Sequence, residues 1–188
     1  MRSGSLFSGY GGLDLAVREV LDAEPVWHCD SAPEARAVLL AHWPDVPVFE
    51  DVCTVPWAAV EPVEVLTGGF PCQDVSAAGR QAGLRPGTRS GLWSHMRHAV
   101  EVLRPRYVVI ENVRGLLHAR AACDLEPCAW CLGDGEDVPL RALGAVLGAL
   151  AALGYDARWT SLPASEIGAP HIRMRVFILA AGRCGAPA

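Results

Sequence analysis

The stretch Ser5-Leu6-Phe7-Ser8-Gly9-Tyr10-Gly11-Gly12-Leu13-Asp14-Leu15-Ala16-Val17-Arg18-Glu19-Val20-Leu21 reads as strand, glycine turn and helix. Ser5-Leu6-Phe7 is short and mostly apolar, and from Leu13 onward apolar residues recur at helical spacing. Glycines in such a turn let backbone amides approach a ligand and aim a helix N-terminus at it. Many strand-to-helix turns use glycine and bind nothing, so the turn by itself specifies only local fold.

Working outward, the same alternation recurs. Residues 26–29 read as a second strand ending at Asp30, followed by an Ala-rich helix over 33–42. A third strand over 46–49 ends at Glu50-Asp51-Val52, and a fourth over 63–67 stops at Gly68-Gly69-Phe70-Pro71-Cys72-Gln73-Asp74-Val75-Ser76. A Gly/Arg-rich loop over 79–90, a helix over 91–103 and a fifth strand over 107–110 follow, the strand ending at Glu111-Asn112-Val113. A helix over 140–153, closed by Gly154, precedes two more strands, over 155–162 and 175–181. Strands separated by helices predict an α/β fold with a doubly wound, mostly parallel sheet, spanning 1–188 as one domain.

Composition narrows the class. The chain has 188 residues, 51% hydrophobic and 20% charged, which suits an ordinary globular domain. No apolar run approaches the roughly 20 residues of a membrane span. Met1-Arg2-Ser3-Gly4 leads straight into a strand, so no signal peptide is expected and a cytoplasmic location is. Seven cysteines then suggest thiols used for chemistry or metal in a reducing compartment. The net charge of -5 is unevenly spread: residues 80–120 hold eight Arg against Glu101 and Glu111 only. That basic segment after Cys72 suits phosphate contacts, or simply a solvated charged face.

Three acids stand at strand ends, where ligands collect in open α/β sheets. Asp30 lies about 20 residues past the glycine turn, as ribose-binding acids do, but it could equally cap the helix at 33–42. Glu111 could be an exposed loop acid or a cap. Cys72, on a Pro-fixed loop at a strand end, is a candidate nucleophile or a buried structural thiol. Cys123-x4-Cys128-x2-Cys131 lies in an insertion at about 119–138 and has metal-ligand spacing; with His118 as a fourth ligand it would suit structural zinc. Arg173 and Arg175 point the same way if their segment is extended.

The order of these pieces carries more than any one of them. Ser5-Leu6-Phe7-Ser8-Gly9-Tyr10-Gly11-Gly12, Asp30, Asp51, Pro71-Cys72-Gln73, Glu111-Asn112-Val113 and Arg173-x-Arg175 together resemble the DNA cytosine-5 methyltransferase family, across essentially the whole chain. The resemblance implies a Rossmann-like methyltransferase fold and S-adenosylmethionine as cofactor. It implies that Cys72 adds to C6 of a flipped cytosine, that Glu111 attends N3, and that Arg175, supported by Arg173, holds the O2 side. It also implies that Phe7, Gly9, Gly11 and Gly12 cradle the cofactor's amino-acid end, that Asp30 takes the ribose hydroxyls, and that Asp51 and Val52 meet the adenine. Double-stranded DNA is the expected partner.

Two departures stand out. His171 occupies a place where the family usually has Gln. The sequence also stops soon after Arg175-Val176-Phe177-Ile178, where the family continues into a target-recognition domain and a returning C-terminal segment. A fragment, a decayed copy, or one half of an enzyme completed by a separate polypeptide is therefore expected. A tRNA cytosine-5 methyltransferase and a non-catalytic S-adenosylmethionine-binding subunit are the alternatives.

Overall fold

The structure, a computed structural model, describes residues 1–71, 92–118 and 141–183. Its elements run β1 (Arg2–Leu6), α1 (Gly12–Leu21), β2 (Glu24–Cys29), α2 (Pro33–His42), β3 (Val48–Phe49), β4 (Val65–Gly68), α3 (Leu92–Leu103), β5 (Tyr107–Val113), α4 (Ala142–Ala152), β6 (Tyr155–Pro163) and β7 (Met174–Gly182). Seven strands form one sheet in the order β3-β2-β1-β4-β5-β7-β6. The first five are mutually parallel, and β7 runs antiparallel between β5 and β6.

The central strands β4 and β5 are largely apolar because both of their faces are covered. Every residue of β4 is buried. In β5 burial alternates, so Val108, Ile110 and Asn112 turn inward while Glu111 and Val113 lie on the other face. Leu66, Ile110 and Ile178 from the sheet pack with Met96 and Val100 of α3 and Leu150 of α4 in the main core. Trp27 lies flat against Gly4 of the neighbouring strand: a Cβ there would stand 2.2 Å from the ring, so only glycine fits. The Trp27 indole N–H reaches the Glu61 carbonyl at 2.9 Å, so the buried ring keeps its one polar atom satisfied.

The doubly wound, mostly parallel sheet agrees with the sequence reading, with local differences. β3 has only two residues, Val48 and Phe49, where four were expected. β5 continues through Glu111-Asn112-Val113 instead of ending before them, because β7 pairs with it all the way to Val113. The N-cap of α2 is Ala32, with Pro33 opening the helix, and Asp30 lies outside it. Arg173 precedes β7, so only Arg175 belongs to the strand. The cysteine insertion and the loop over 79–90 lie outside the described residues.

Tyr155 fastens the β6 end of the sheet. Its hydroxyl donates to the Pro105 carbonyl at 2.7 Å, and burial pushes the phenol up to about 12. A phenol held neutral by the fold contributes stability that is whole below its unfolded value near 10 and lost as pH rises towards 12. Tyr155→Phe should therefore flatten the fall in stability over that alkaline window. At neutral pH it should cost about 1–2 kcal/mol, because the Pro105 carbonyl loses its partner. Urea unfolding of both proteins at a series of pH values measures both effects.

Candidate functional site

In the order β3-β2-β1-β4-β5 the chain's direction of travel reverses between β1 and β4, and a crevice opens there at the C-terminal ends of the strands. Leu6, Cys29, Phe49 and Gly68 end their strands on this edge. The glycine turn follows β1 directly. Phe7, Gly9 and Gly11 all take positive φ, at 54°, 56° and 80°. For Phe7 that is an uncommon conformation, held because the turn must reverse within a few residues. Gly11 caps α1 in the left-handed region, with the Trp43 ring 2.6 Å from where a Cβ would stand. Nothing described lies within 4 Å of a Cβ placed on Gly9 or Gly12, so these two backbones face open space. A glycine backbone bare of neighbours beside a helix N-terminus is what a ligand's polar end requires.

Asp30 stands at the end of β2 beside this turn. One carboxylate oxygen accepts the Gly9 N–H at 2.8 Å and the other accepts the Ala32 N–H at 2.8 Å. Asp30 therefore ties the glycine turn to the start of α2, a task the sequence did not disclose. Asp51 follows β3, is exposed, and accepts the Cys53 N–H at 2.9 Å; that backbone bond holds its carboxyl below the usual range. Val52 next to it is buried in the core, so any contact it makes with a ligand is through its backbone. Burial first, then the charges of Asp30 and Asp51, raises the Cys29 thiol to about 12, which leaves Cys29 an inert wall residue.

The second half of the edge is built by β4, β5 and β7. After Gly68 the chain turns through Gly69-Phe70-Pro71, the residue before Cys72. Asn112 donates to the Phe70 carbonyl at 3.1 Å and so fastens this turn to β5. Glu111 is on the opposite face of β5, beyond the last residue paired with β4. A Cβ on Gly69 would come within 3.2 Å of Glu111 Oε2, so Gly69 makes room for that carboxylate. Arg175 Nε meets Glu111 Oε1 at 2.6 Å. In the antiparallel register Arg175 is opposite Val113 and Glu111 opposite Phe177, so the pair is a diagonal contact on one face.

The structure thus gathers Phe7, Gly9, Gly11, Gly12, Asp30, Asp51 and Val52 at one part of the edge and Glu111 and Arg175 at another. Arg173 is exposed, and its N–H reaches His171 Nδ1 at 3.4 Å. Cys72, Cys123, Cys128 and Cys131 lie outside the described residues. His118 is exposed, and its carbonyl accepts from Arg141 at 2.6 Å. Among the described residues no group of His, Cys, Asp and Glu could hold a metal ion. No described helix is long and apolar enough to cross a membrane.

Two arginines of the basic segment lie away from the site. Arg104 and Arg106 sit at the N-terminal end of β5, opposite the site. There Arg104 donates to the Leu153 carbonyl at 2.8 Å and Arg106 covers the Tyr107 ring at 5.0 Å. They serve the fold and are not phosphate contacts beside Cys72. Sequence reasoning also missed the buried trio Ser5, Asp14 and His28 beneath the glycine turn. A polar residue at inward positions of two adjacent apolar strands was the available signal.

Comparison with known proteins accords with this geometry. The chain is 29% identical over 179 residues to the Type II methyltransferase M.NgoBV of Neisseria gonorrhoeae, covering 92% of this chain and 39% of that protein. It is 30% identical over 184 residues to the Type II methyltransferase M2.BsuMI of Bacillus subtilis, covering 96% and 42%. The chain thus spans about 40% of the length of these curated relatives. The S. pombe Dnmt2 methyltransferase structure superimposes with a TM-score of 0.70 at 19% identity, over 100% of this chain and 51% of that one, and so shares the fold. The family model for C-5 cytosine-specific DNA methylases matches residues 1–183, and the chain belongs to that family.

Proposed function

We propose that this chain is the catalytic part of a DNA methyltransferase that transfers a methyl group from S-adenosylmethionine to C5 of a flipped cytosine. The observation that carries the reading is the Glu111–Arg175 pair, set beside the Gly69-Phe70-Pro71 turn that leads into Cys72. The family supplies the substrate class, and this pair supplies a carboxylate and a guanidinium where a base's polar edge would need both. The open glycine backbones and the nearby Asp30 and Asp51 fit a cofactor with an amino-acid end, a ribose and an adenine.

Cytosine C5 is a poor nucleophile until the ring's conjugation is broken. The Cys72 thiolate adds to C6, its sulfur lone pair forming the new bond as the ring's π electrons move towards N3. Glu111 meets the negative charge at N3 with a proton or a hydrogen bond. Arg175 fixes Glu111 through Oε1, leaving Oε2 on the Gly69 side, and its cationic edge suits the cytosine O2. When bound, S-adenosylmethionine supplies the electrophilic methyl group that C5 takes up. Loss of the C5 proton to a base then returns electrons into the ring, and the C6–S bond breaks to release Cys72. The target base must leave the duplex for Cys72 to reach it.

The asymmetry between this chain and its relatives bears on partners. The chain spans about 40% of the curated relatives, and phosphate contacts alone carry no sequence information. We therefore place target recognition outside these 188 residues, in further chain or in a separate polypeptide.

These roles predict distinct losses. In the complemented enzyme Cys72→Ala should abolish covalent trapping on duplex DNA containing 5-fluorocytosine while leaving cofactor affinity unchanged; trapping by the Ala variant would exclude Cys72 as nucleophile. Glu111→Gln should slow methylation by about 10²–10⁴-fold, the range typical of a lost acid–base group, as measured with labelled cofactor in single turnovers. Asp30→Ala removes a charge-assisted bond worth about 1.5–3 kcal/mol and should weaken S-adenosylmethionine binding roughly 10- to 100-fold by calorimetry. An unchanged affinity would leave Asp30 as a purely structural tie.

A further inference from the structure

Beneath the glycine turn lies a row of polar groups that the proposed chemistry does not use. Ser5 of β1 is in register with His28 of β2 on one side and Thr67 of β4 on the other. All three are buried, and Asp14, in the first turn of α1, is 1% exposed. Neither Asp14 oxygen has a hydrogen-bond partner among the described residues, and Oδ1 lies 3.4 Å from His28 Nδ1. A buried carboxylate with no donor is costly, so a merely structural position would favour an apolar residue here.

From His28 a chain of contacts leads to the glycine turn. Its Nδ1 is 2.9 Å from Ser5 Oγ, which is 2.6 Å from Ser8 Oγ. Ser8 Oγ accepts the Cys29 N–H at 3.2 Å and can donate to the carbonyl of Ser5 or Cys29, at 3.1 and 3.3 Å. The Ser8 N–H also donates to the Cys29 carbonyl at 3.2 Å. One residue beyond Ser8 and Cys29, the Gly9 N–H meets Asp30. A proton on His28 Nδ1 would face both Ser5 Oγ and, 3.4 Å away, Asp14 Oδ1. In that tautomer the contacts can run one way, Nδ1–H donating to Ser5, Ser5 to Ser8, and Ser8 to a backbone carbonyl.

We infer that Asp14, His28 and Ser5 form a buried positioning element that orients Ser8 and so fixes the glycine turn in its ligand-receiving geometry. The inference rests on the proposed function for the identity of the ligand, S-adenosylmethionine. Its structural content, that the cluster orders the Ser8–Gly12 turn, does not.

Two readouts on the full chain separate these claims: calorimetric affinity for S-adenosylmethionine, and hydrogen exchange of the Gly9 amide. His28→Leu keeps the bulk and removes the polar nitrogen, whereas His28→Asn keeps a polar atom near the Nδ1 position. His28→Leu should weaken cofactor binding by about tenfold or more, a single hydrogen bond's worth, and speed Gly9 exchange by a similar factor. His28→Asn should restore both to within about threefold of the parent. Ser8→Ala, at a half-buried position, should reproduce the loss if His28→Leu does not fold. Parental affinity and Gly9 protection in His28→Leu or Ser8→Ala would overturn the inference. So would equal impairment of His28→Asn and His28→Leu with protection lost across the whole sheet. If the parent chain binds no S-adenosylmethionine, the functional reading fails, and Gly9 exchange in the same variants still decides the positioning role.

Discussion

The antiparallel pairing of β7 with β5 is the constraint on which the Glu111 half of the edge depends. β5 overhangs β4 by the residues 111–113, and without a partner there those backbone groups would be left to solvent. β7 supplies that partner. In doing so it brings Arg175, far away in sequence, diagonally across from Glu111. A parallel strand in the same place would begin at the opposite edge of the sheet, and its first residues could not meet a carboxylate at the C-terminal end. The strand that breaks the parallel rule thus positions the guanidinium. Asn112 adds a second tie from the same overhang, because alternation sends its side chain to the other face, where it holds the Phe70 carbonyl. Successive residues of one strand therefore present the carboxylate and tie down the Gly69-Phe70-Pro71 turn separately.

The glycine-turn half depends on backbone geometry rather than on ion pairs. Its glycines are legible in sequence because each has a separate steric reason. Gly11 must take a left-handed φ and leave space for Trp43, and Gly9 and Gly12 must leave their outer side bare. Asp30 shows why a sequence reading of an acid at a strand end is incomplete. It is neither the helix cap of α2 nor a free acceptor. It is a bridge, and a ligand hydroxyl would have to share oxygens already engaged by Gly9 and Ala32. Each carboxylate oxygen has more than one lone-pair direction, so sharing is chemically feasible, and the backbone bonds would hold the acid still while it occurs.

Much of the architecture could be read from the chain because apolar runs, glycine turns and helical periodicity alternate cleanly from Ser5 to Ile110. What could not be read depends on pairing. The extension of β5 through Glu111-Asn112-Val113 has no local signal; it exists because β7 lies alongside. Arg104 and Arg106 look like members of a basic patch when counted along the sequence. The fold places them at the far end of β5, where one caps a carbonyl and the other covers a ring. The Ser5–His28–Asp14 cluster was equally hidden, since each residue alone has an ordinary explanation: a strand serine, an aromatic-sized strand residue and a first-turn helix acid. Only the parallel register of β1 with β2, under α1, makes them neighbours.

The two halves of the edge meet at β1 and β4. The Gly69 N–H donates to the Leu6 carbonyl at 3.4 Å, so the turn that leads to Cys72 and the strand that leads to the glycine turn leave the sheet side by side. Gly68 faces Met96 of α3 and the Leu6 carbonyl closely enough that a Cβ would stand 2.8 Å from the Met96 methyl. A larger residue there would displace the end of the Met96 side chain and crowd the Leu6 carbonyl, 3.3 Å from the Cβ, at the junction of β1 and β4. Methyl transfer needs a donor and an acceptor held within bonding range, and geometric errors of about an ångström are severe in such reactions. On the proposed reading, the glycines after β4 bear on the reaction's geometry as do those after β1, because they let the two turns descend from adjacent strands without separating.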